Sequence, residues 1–428
     1  MKPIGLHTIN NEAYLHHYRL ADLAQTYQTP LYVMDEAQIR KAIQEFKIYF
    51  KSEAFDTTVV YASKAFFTKE FARFIAEEGL YMDAVSLGDL YVAQQAHFPF
   101  ERLVFHGNNK SIEELDFAIS HQVGYIVVDN LYELNHLAQL LNRKQKKISI
   151  LIRVNPGIDA HTHEYIQTAQ FTSKFGESIF DEYQMKSLLE VCLASPWIEL
   201  KGFHAHIGSQ IHEPDAYVEE IKKMVEFQNH ISKQYQLDLP ILNLGGGFGI
   251  QYQQEEKNIA IPEMMRILIQ ALEVVIQTTH SAIRQVMIEP GRAIVGPAGI
   301  TLYKASQIKT TFGQKNYLFI DGGMTDNIRP ALYHAVYECD IANKMTQPKE
   351  ILVDIVGKCC ESGDIIRKDV MIPRIDENDI VIVYATGAYN YSMSSNYNHL
   401  LKPAVILVGE EIRVLSRRET LDDLCKLF

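Results

Sequence analysis

Cysteine is scarce in this chain: five residues, Cys192, Cys339, Cys359, Cys360 and Cys425, in 428. The number is odd, and the spacing matches neither a disulfide framework nor a zinc site. A reducing cytoplasm is the expected home. Long apolar runs are missing too, since none approaches the ~18 residues of a membrane span. The N-terminal stretch lacks the basic start and apolar core of a signal peptide. Positive charge is in deficit, with 41 Lys and Arg against 53 Asp and Glu, a net −12. That argues against nucleic acid or an anionic membrane as the main partner, though not against a local basic pocket. No low-complexity tract is present, and no internal repeat beyond the unit described next. The remainder is an ordinary globular composition, 47% hydrophobic, able to fill a core without metals or disulfides.

What the sequence does have is a series of short apolar runs that each stop at a residue capable of chemistry. The runs are Thr58–Tyr61, Leu80–Val85, Leu103–Phe105, Tyr125–Val128, Ile148–Val154, Leu200–His204, Ile241–Leu244 and Val286–Ile288. At or just past their ends lie Lys64, Asp83 with Ser86, His106 with Asn108, Asp129, Arg153 with Asn155, His206 with Ser209, Gly245–Gly247, and Glu289 with Arg292. Between runs the pattern turns helical: Lys69–Glu78 and Ile112–Ser120 place apolar residues at i, i+3 and i+4, and Ser111 with Glu114 makes a capping box. Strand–helix alternation means a closed barrel or an open doubly wound sheet. Regular spacing and chemistry at every strand end favour a (β/α)8 TIM-type barrel with its site at the carboxyl ends of the strands. The polar segment Asp159–Gly176 reads as a long functional loop over the barrel mouth.

After Arg292 the texture changes to short β-branched runs: Ile300–Ile308, Tyr317–Ile320, Glu350–Val356, Ile380–Tyr384, Ala404–Val408 and Glu411–Leu415. They predict a second, all-β domain, sandwich-like or barrel-like. The strand-like Pro30–Met34 is assigned to its sheet. The barrel then spans 36–295, and a discontinuous β domain takes 1–35 and 296–428.

Several strand ends carry specific chemistry, each with a plainer alternative. Lys64 is held with its amine at the barrel mouth, where partial burial would favour the neutral form that attacks a carbonyl; a snorkelling lysine is the alternative. The glycines of Leu244–Gly249 let backbone N–H groups approach a phosphate, or simply make a tight turn. They match neither a dinucleotide fingerprint nor a P-loop, and their place after the seventh strand suits a barrel phosphate site. Glu289 could hold a protonated ring nitrogen while Gly291 and Arg292 add phosphate donors, or Glu289 and Arg292 could form a structural ion pair. His204 and His206 share a strand face, as metal ligands might, but no third ligand is near in sequence. One imidazole could instead stack on a flat cofactor, with Ser209 donating to its phosphate. Cys360 is either a proton donor or an inert buried thiol. Arg329 and Tyr333 would share a helical face.

Ten segments, in order, carry a resemblance. They run from Tyr61–Ala65 (YASKA) and His106–Ser111 (HGNNKS) through Arg153–Gly157, Ser173–Gly176, Gly202–Gln210 (GFHAHIGSQ), Asn243–Ile250 (NLGGGFGI) and Glu289–Gly296 (EPGRAIVG). Asp321–Tyr333, Cys359–Asp364 (CCESGD) and Gly387–Asn398 complete the series. Together they resemble the pyridoxal 5'-phosphate-dependent decarboxylases of fold type III, built on an alanine-racemase-like barrel, and within these the diaminopimelate decarboxylases. The resemblance implies decarboxylation of meso-2,6-diaminopimelate to L-lysine and CO2, the last step of lysine biosynthesis by that route. It implies Lys64 as the Schiff-base lysine and Cys360 as the proton donor. It places Asp83, His206, Ser209, Gly245, Gly246, Gly247, Glu289, Gly291, Arg292 and Tyr389 at the cofactor, with no metal. Arg292, Arg329, Tyr333, Glu361 and Tyr389 would bind substrate. Cys360 and Glu361 would complete the site of a neighbouring subunit, which implies a homodimer. Cys359, Leu87 and His399–Lys402 depart from the family pattern, none at a mapped catalytic position. A racemase on the same barrel is disfavoured by Glu289, and a barrel-only cofactor carrier by the β domain. An ornithine, arginine or carboxynorspermidine decarboxylase is the nearest alternative.

Overall fold

The computed structural model describes residues 1–158 and 173–428; most of the expected mouth loop Asp159–Gly176 lies outside the described residues. The barrel strands are β1 (Asp56–Tyr61), β2 (Tyr81–Ala84), β3 (Leu103–Phe105), β4 (Tyr125–Val128), β5 (Ile148–Asn155), β6 (Ile198–His204), β7 (Ile241–Asn243) and β8 (Gln285–Ile288). All neighbours pair in parallel, and β8 pairs with β1 to close the barrel. All eight expected strands are there, with ends shifted by at most a few residues. Outer helices start at side chains that accept from their first free N–H groups: Thr68, Ser86, Ser111, Asn130 and Asp181, which is where short polar residues stabilise a helix most. The capping box of Ser111 with Glu114 is present. The helix Lys69–Glu77 buries Phe71, Ala72, Phe74 and Ile75, as its period requires.

Inside the barrel, Val60, Val104, Val127, Leu151, Ile241 and Met287 form an apolar layer of their own. Side chains alternate along a strand, so two residues further on the chain points inward again. Those next positions are Ala62, His106, Asp129, Arg153, Asn243 and Glu289. The partly buried Tyr81, packed against the same layer, leads in the same way to Asp83. An apolar floor with a polar layer stacked on it, at the carboxyl end, is thus written into the two-residue period.

The second sheet runs, edge to edge, Ile365–Ile372, Ile351–Val356, Asn316–Ile320, Gly299–Thr310, Leu31–Asp35, Ala404–Val408 and Ile412–Ser416, with Ile380–Tyr384 also on Gly299–Thr310 and Cys339–Ile341 on Ile380–Tyr384. Leu31–Asp35 is antiparallel to Gly299–Thr310, Val33 facing Ile300, and parallel to Ala404–Val408, Val33 facing Ile406. All five of its residues are buried. The sequence reading missed Cys339–Ile341 and Ile365–Ile372. It also missed a three-stranded sheet (Leu6–Ile9, Glu12–Leu15, Tyr18–Arg19) and the helix Leu20–Tyr27. Ile365–Ile372 has a largely exposed burial pattern, so no clear apolar alternation marked it.

Candidate active site

A cavity of about 830 Å³ opens at the carboxyl end of the barrel, lined by barrel residues and by Arg329, Tyr333 and Tyr389 from beyond it. Its floor is the polar layer. Glu289 is buried there; its Oε1 accepts from Asn243 Nδ2 at 2.8 Å and lies 2.9 Å from His106 Nε2. His204 Nε2 approaches Oε2 at 3.3 Å without hydrogen-bond geometry, and among the described residues both its ring nitrogens lack a hydrogen-bond partner. Burial favours the protonated carboxyl, but His106 and His204 outweigh it and hold Glu289 well below the usual carboxylate range. Burial pushes His204 down to about 4 against the opposing pull of Glu289. The arrangement is therefore an ionised Glu289 beside a neutral His204. Glu289 and Arg292 do not form the ion pair considered from sequence. His204 and His206 are not brought together as a ligand pair either: among the described residues it is His106, His204 and Glu289 whose ligand atoms gather within 4.8 Å of one another.

Strand β6 ends at His204, so the alternation that aims His204 does not reach His206, two residues past this strand. Its pairing register slips between Leu200 and Gly202, and a Cβ on Gly202 would lie 1.7 Å from the carbonyl oxygen of Ile241. Such a bulge re-aims the residues beyond it. His204 then meets Glu289, while His206 Nδ1 accepts from the backbone N–H of Gly246 at 3.2 Å. Burial, then the cations of Lys64 and Arg153, hold His206 well below the usual histidine range, so its ring is neutral.

The glycine loop after β7 is fixed by Asn243, whose Oδ1 accepts from Gly245 N–H at 2.9 Å. Gly245 has φ +62°, and a Cβ on Gly246 would lie 2.1 Å from the carbonyl oxygen of Glu289. A Cβ on Gly247 would lie 2.4 Å from the carbonyl oxygen of Gly208. Here the loop leaves no room for side chains. Opposite it, buried Arg292 donates from Nη2 to Ser209 Oγ at 2.9 Å and from Nη1 to Tyr252 Oη at 2.6 Å, and its Nε has no hydrogen-bond partner among the described residues. Gly291 precedes Arg292 against Ala62, where an added Cβ would sit 2.8 Å from that residue's Cβ.

Lys64 lies on a 3-10 turn, Ser63–Ala65, directly after β1, and its side chain lines the cavity. It is exposed there, which corrects the expectation of partial burial: the turn projects it into open space. Asp83 supports this turn, its Oδ1 accepting from Ser63 N–H at 2.6 Å. Burial pushes Asp83 up to about 6. The Tyr389 N–H donates to the carbonyl of Ala65 at 2.7 Å, tying the β domain to the lysine turn. Asp129 accepts from Gly176 N–H at 3.0 Å, which gives it an anchoring contact for the segment after the mouth loop.

Arg329 and Tyr333 lie on the short helix Arg329–Tyr333, the guanidinium 5.4 Å from the Tyr333 ring centre. Cys360 and Glu361 stand apart: both are exposed, and among the described residues no cysteine lines the cavity. The Cys360 N–H donates to Asn398 Oδ1 at 2.7 Å. The buried thiol is Cys359 instead, pushed up to about 11 by burial and by Asp364.

Sequence reading missed Asn243 and Tyr252 and gave His106 no role. The signal for Asn243 and His106 was available, since each stands two residues past an inward apolar residue of its strand. Tyr252 had no such signal, because it lies on an irregular loop.

Comparison with known proteins agrees with this geometry. The pyridoxal-binding domain of the pyridoxal-dependent decarboxylases matches residues 36–296. Diaminopimelate decarboxylase of Bacillus subtilis is 44% identical over 95% of this chain and 92% of its own. The Staphylococcus aureus enzyme of that name is 39% identical over 97% of each chain. The structure of M. jannaschii diaminopimelate decarboxylase in complex with L-lysine superposes with a TM-score of 0.91 and 28% identity, over 100% of this chain and 98% of that one. The chain therefore belongs to the pyridoxal-dependent decarboxylases, and among them to the diaminopimelate decarboxylase family.

Proposed function

We propose that this protein is a pyridoxal 5'-phosphate-dependent carboxy-lyase that converts meso-2,6-diaminopimelate to L-lysine and CO2, the last step of lysine biosynthesis by the diaminopimelate route. The observation that carries this reading is the pairing, across one cavity, of an ionised carboxylate at the barrel centre with two arginines that have no carboxylate partner among the described residues.

The residues fit the cofactor. The unpartnered Nε of Arg292, Ser209 and the glycine loop suit a phosphate, since backbone N–H groups and a guanidinium are the donors such an anion takes. Glu289 would face the ring nitrogen, His206 would cover the ring, and Lys64 would hold the aldehyde carbon. When bound, the cofactor supplies an electron sink for the bond that breaks. Asp83 keeps the lysine turn in place through Ser63. Glu289, ionised and restrained by Asn243 and His106, holds a proton at the facing nitrogen; a unit charge pair ~3 Å apart is worth about 5 kcal/mol at an effective dielectric of ~20, before desolvation. Arg292 and Arg329 bind substrate carboxylate, with Tyr333 and Tyr389 framing the guanidiniums.

Cys360 Sγ delivers a proton to the carbon from which CO2 departs, and Glu361 meets the distal ammonium. Both are exposed and outside the cavity of their own chain, which supports a homodimer in which each subunit completes the other's site. Among the described residues no helix is long and apolar enough to cross a membrane, and together with the unpaired cysteines this supports a cytoplasmic enzyme. The test is an end-point assay for L-lysine from meso-diaminopimelate with and without added cofactor. Cofactor-dependent lysine formation is expected; none in either arm rejects the proposal.

A further inference from the structure

Two guanidiniums without a carboxylate partner, packed in one buried region, repel each other, and something must hold them. Among the described residues Tyr389 and Tyr252 lie against both, and of the two Tyr252 also accepts a hydrogen bond from one of them. Tyr252 is buried, its hydroxyl accepts from Arg292 Nη1 at 2.6 Å, and its ring centre lies 5.9 Å from the Arg292 guanidinium and 5.8 Å from that of Arg329. Arg329 has a separate partner, donating from Nε to Tyr337 Oη at 2.8 Å. The Tyr337 ring stands edge-on to Tyr252, with centres 5.4 Å apart. The two arginines are therefore linked through the Tyr252–Tyr337 pair as well as across Tyr389.

We propose that Tyr252 is a positioning residue for substrate selectivity: it sets the spacing and direction of Arg292 and Arg329 so that they close on the distal carboxylate as one clamp. The proposal rests on the function given above. Burial alone would raise the phenol's pKa, yet Arg292 and Arg329 outweigh it and lower it. The cause of that shift is the geometry itself, with both guanidiniums against the ring and one of them donating to its oxygen. A loop built for the purpose aims it: the Tyr252 N–H donates to Glu256 Oε2 at 2.7 Å, and Gln251 Nε2 donates to the carbonyls of Gln254 and Glu256, both at 2.9 Å. Because Arg292 spends Nη2 on Ser209, Tyr252 holds that guanidinium through Nη1 alone.

Tyr252→Phe removes the acceptor and keeps the ring, so cation–π contact survives. With the holoenzyme, KM for meso-diaminopimelate should rise about tenfold, ~1.4 kcal/mol, with kcat changed less than twofold. Competitive inhibition by pimelate, which carries both substrate carboxylates and neither amine, should weaken by a similar factor. Inhibition by cadaverine, which keeps both amines and lacks both carboxylates, should stay within twofold. A general packing defect would instead weaken both inhibitors alike and lower kcat. That result overturns the proposal, as do an unchanged KM, a wild-type enzyme indifferent to pimelate, or a weakened cofactor affinity with KM intact. If the wild type forms no lysine from meso-diaminopimelate, the function itself fails, a separate and recognisable outcome.

Discussion

Replacing Asn243 by alanine removes two hydrogen bonds that tie opposite ends of the site together. Asn243 is fully buried; it donates to Glu289 at 2.8 Å and accepts from Gly245 N–H at 2.9 Å. The first bond reaches a charged group, worth roughly 1.5–3 kcal/mol, and losing the second leaves a buried N–H unsatisfied, at roughly 1–3 kcal/mol. The sum is about 2.5–6 kcal/mol, reduced toward the lower figure where water enters the vacated space. Equilibrium urea unfolding of the variant should show that loss, and a titration with pyridoxal phosphate should show cofactor affinity weakened at least tenfold. Asn243→Asp separates the two bonds. It keeps an acceptor for Gly245 but sets a second carboxylate against Glu289, and two such groups cannot both ionise cheaply. The glycine loop should survive in that variant while the charge at Glu289 is lost, so cofactor still binds and turnover collapses. An Asn243→Ala protein within 0.5 kcal/mol of wild type, with unaltered cofactor affinity, would refute the reasoning.

Three further outcomes follow from the same geometry. Asp83 holds its proton up to about 6 because it is buried, against an unfolded value near 3.9, so the fold binds that proton more tightly than the unfolded chain does. The sign is that stability falls as pH rises from about 4 through 6, by up to ~3 kcal/mol; Asp83→Asn should flatten this stretch of the unfolding profile, and parallel profiles would contradict it. Gly246→Ala would force a Cβ to within 2.1 Å of the Glu289 carbonyl, so it should lose cofactor binding and several degrees of melting temperature, whereas unchanged cofactor affinity would show that the loop yields. Mixing Lys64→Ala with Cys360→Ala protein should restore part of the activity if sites are shared, because one hybrid site has both residues; no recovery despite demonstrated subunit exchange counts against sharing.

The barrel was legible because two periods, apolar runs for strands and i, i+3, i+4 faces for helices, are enforced by burial on both sides of a parallel sheet. Lys64, Glu289 and the glycine loop were legible for a related reason, since a strand end fixes where the next residues go. Asn243 and His106 could have been found by counting two from Ile241 and Val104, but strands this short hide the count. The bulge at Gly202 depends on the carbonyl of Ile241, distant in the chain and invisible in local pattern, and His206 parts from His204 because the strand ends at His204. Tyr252 reaches Arg292 from a loop with no period. The exposed strand Ile365–Ile372 and the N-terminal sheet were missed because half-solvated strands carry little apolar signal. Cys360 and Glu361 were recognisable only through family resemblance, and they stand on an exposed turn outside the cavity lining.

The central claim is the substrate, and the direct measurement is CO2 release by the purified holoenzyme from meso-diaminopimelate, L-ornithine and L-arginine offered in parallel. A site that leaves two arginines waiting for a distal carboxylate should turn over meso-diaminopimelate with kcat/KM at least ~10⁴-fold above the other two, the discrimination reached when a wrong substrate leaves buried polar groups unpaired. Comparable or faster release from ornithine or arginine would contradict the account.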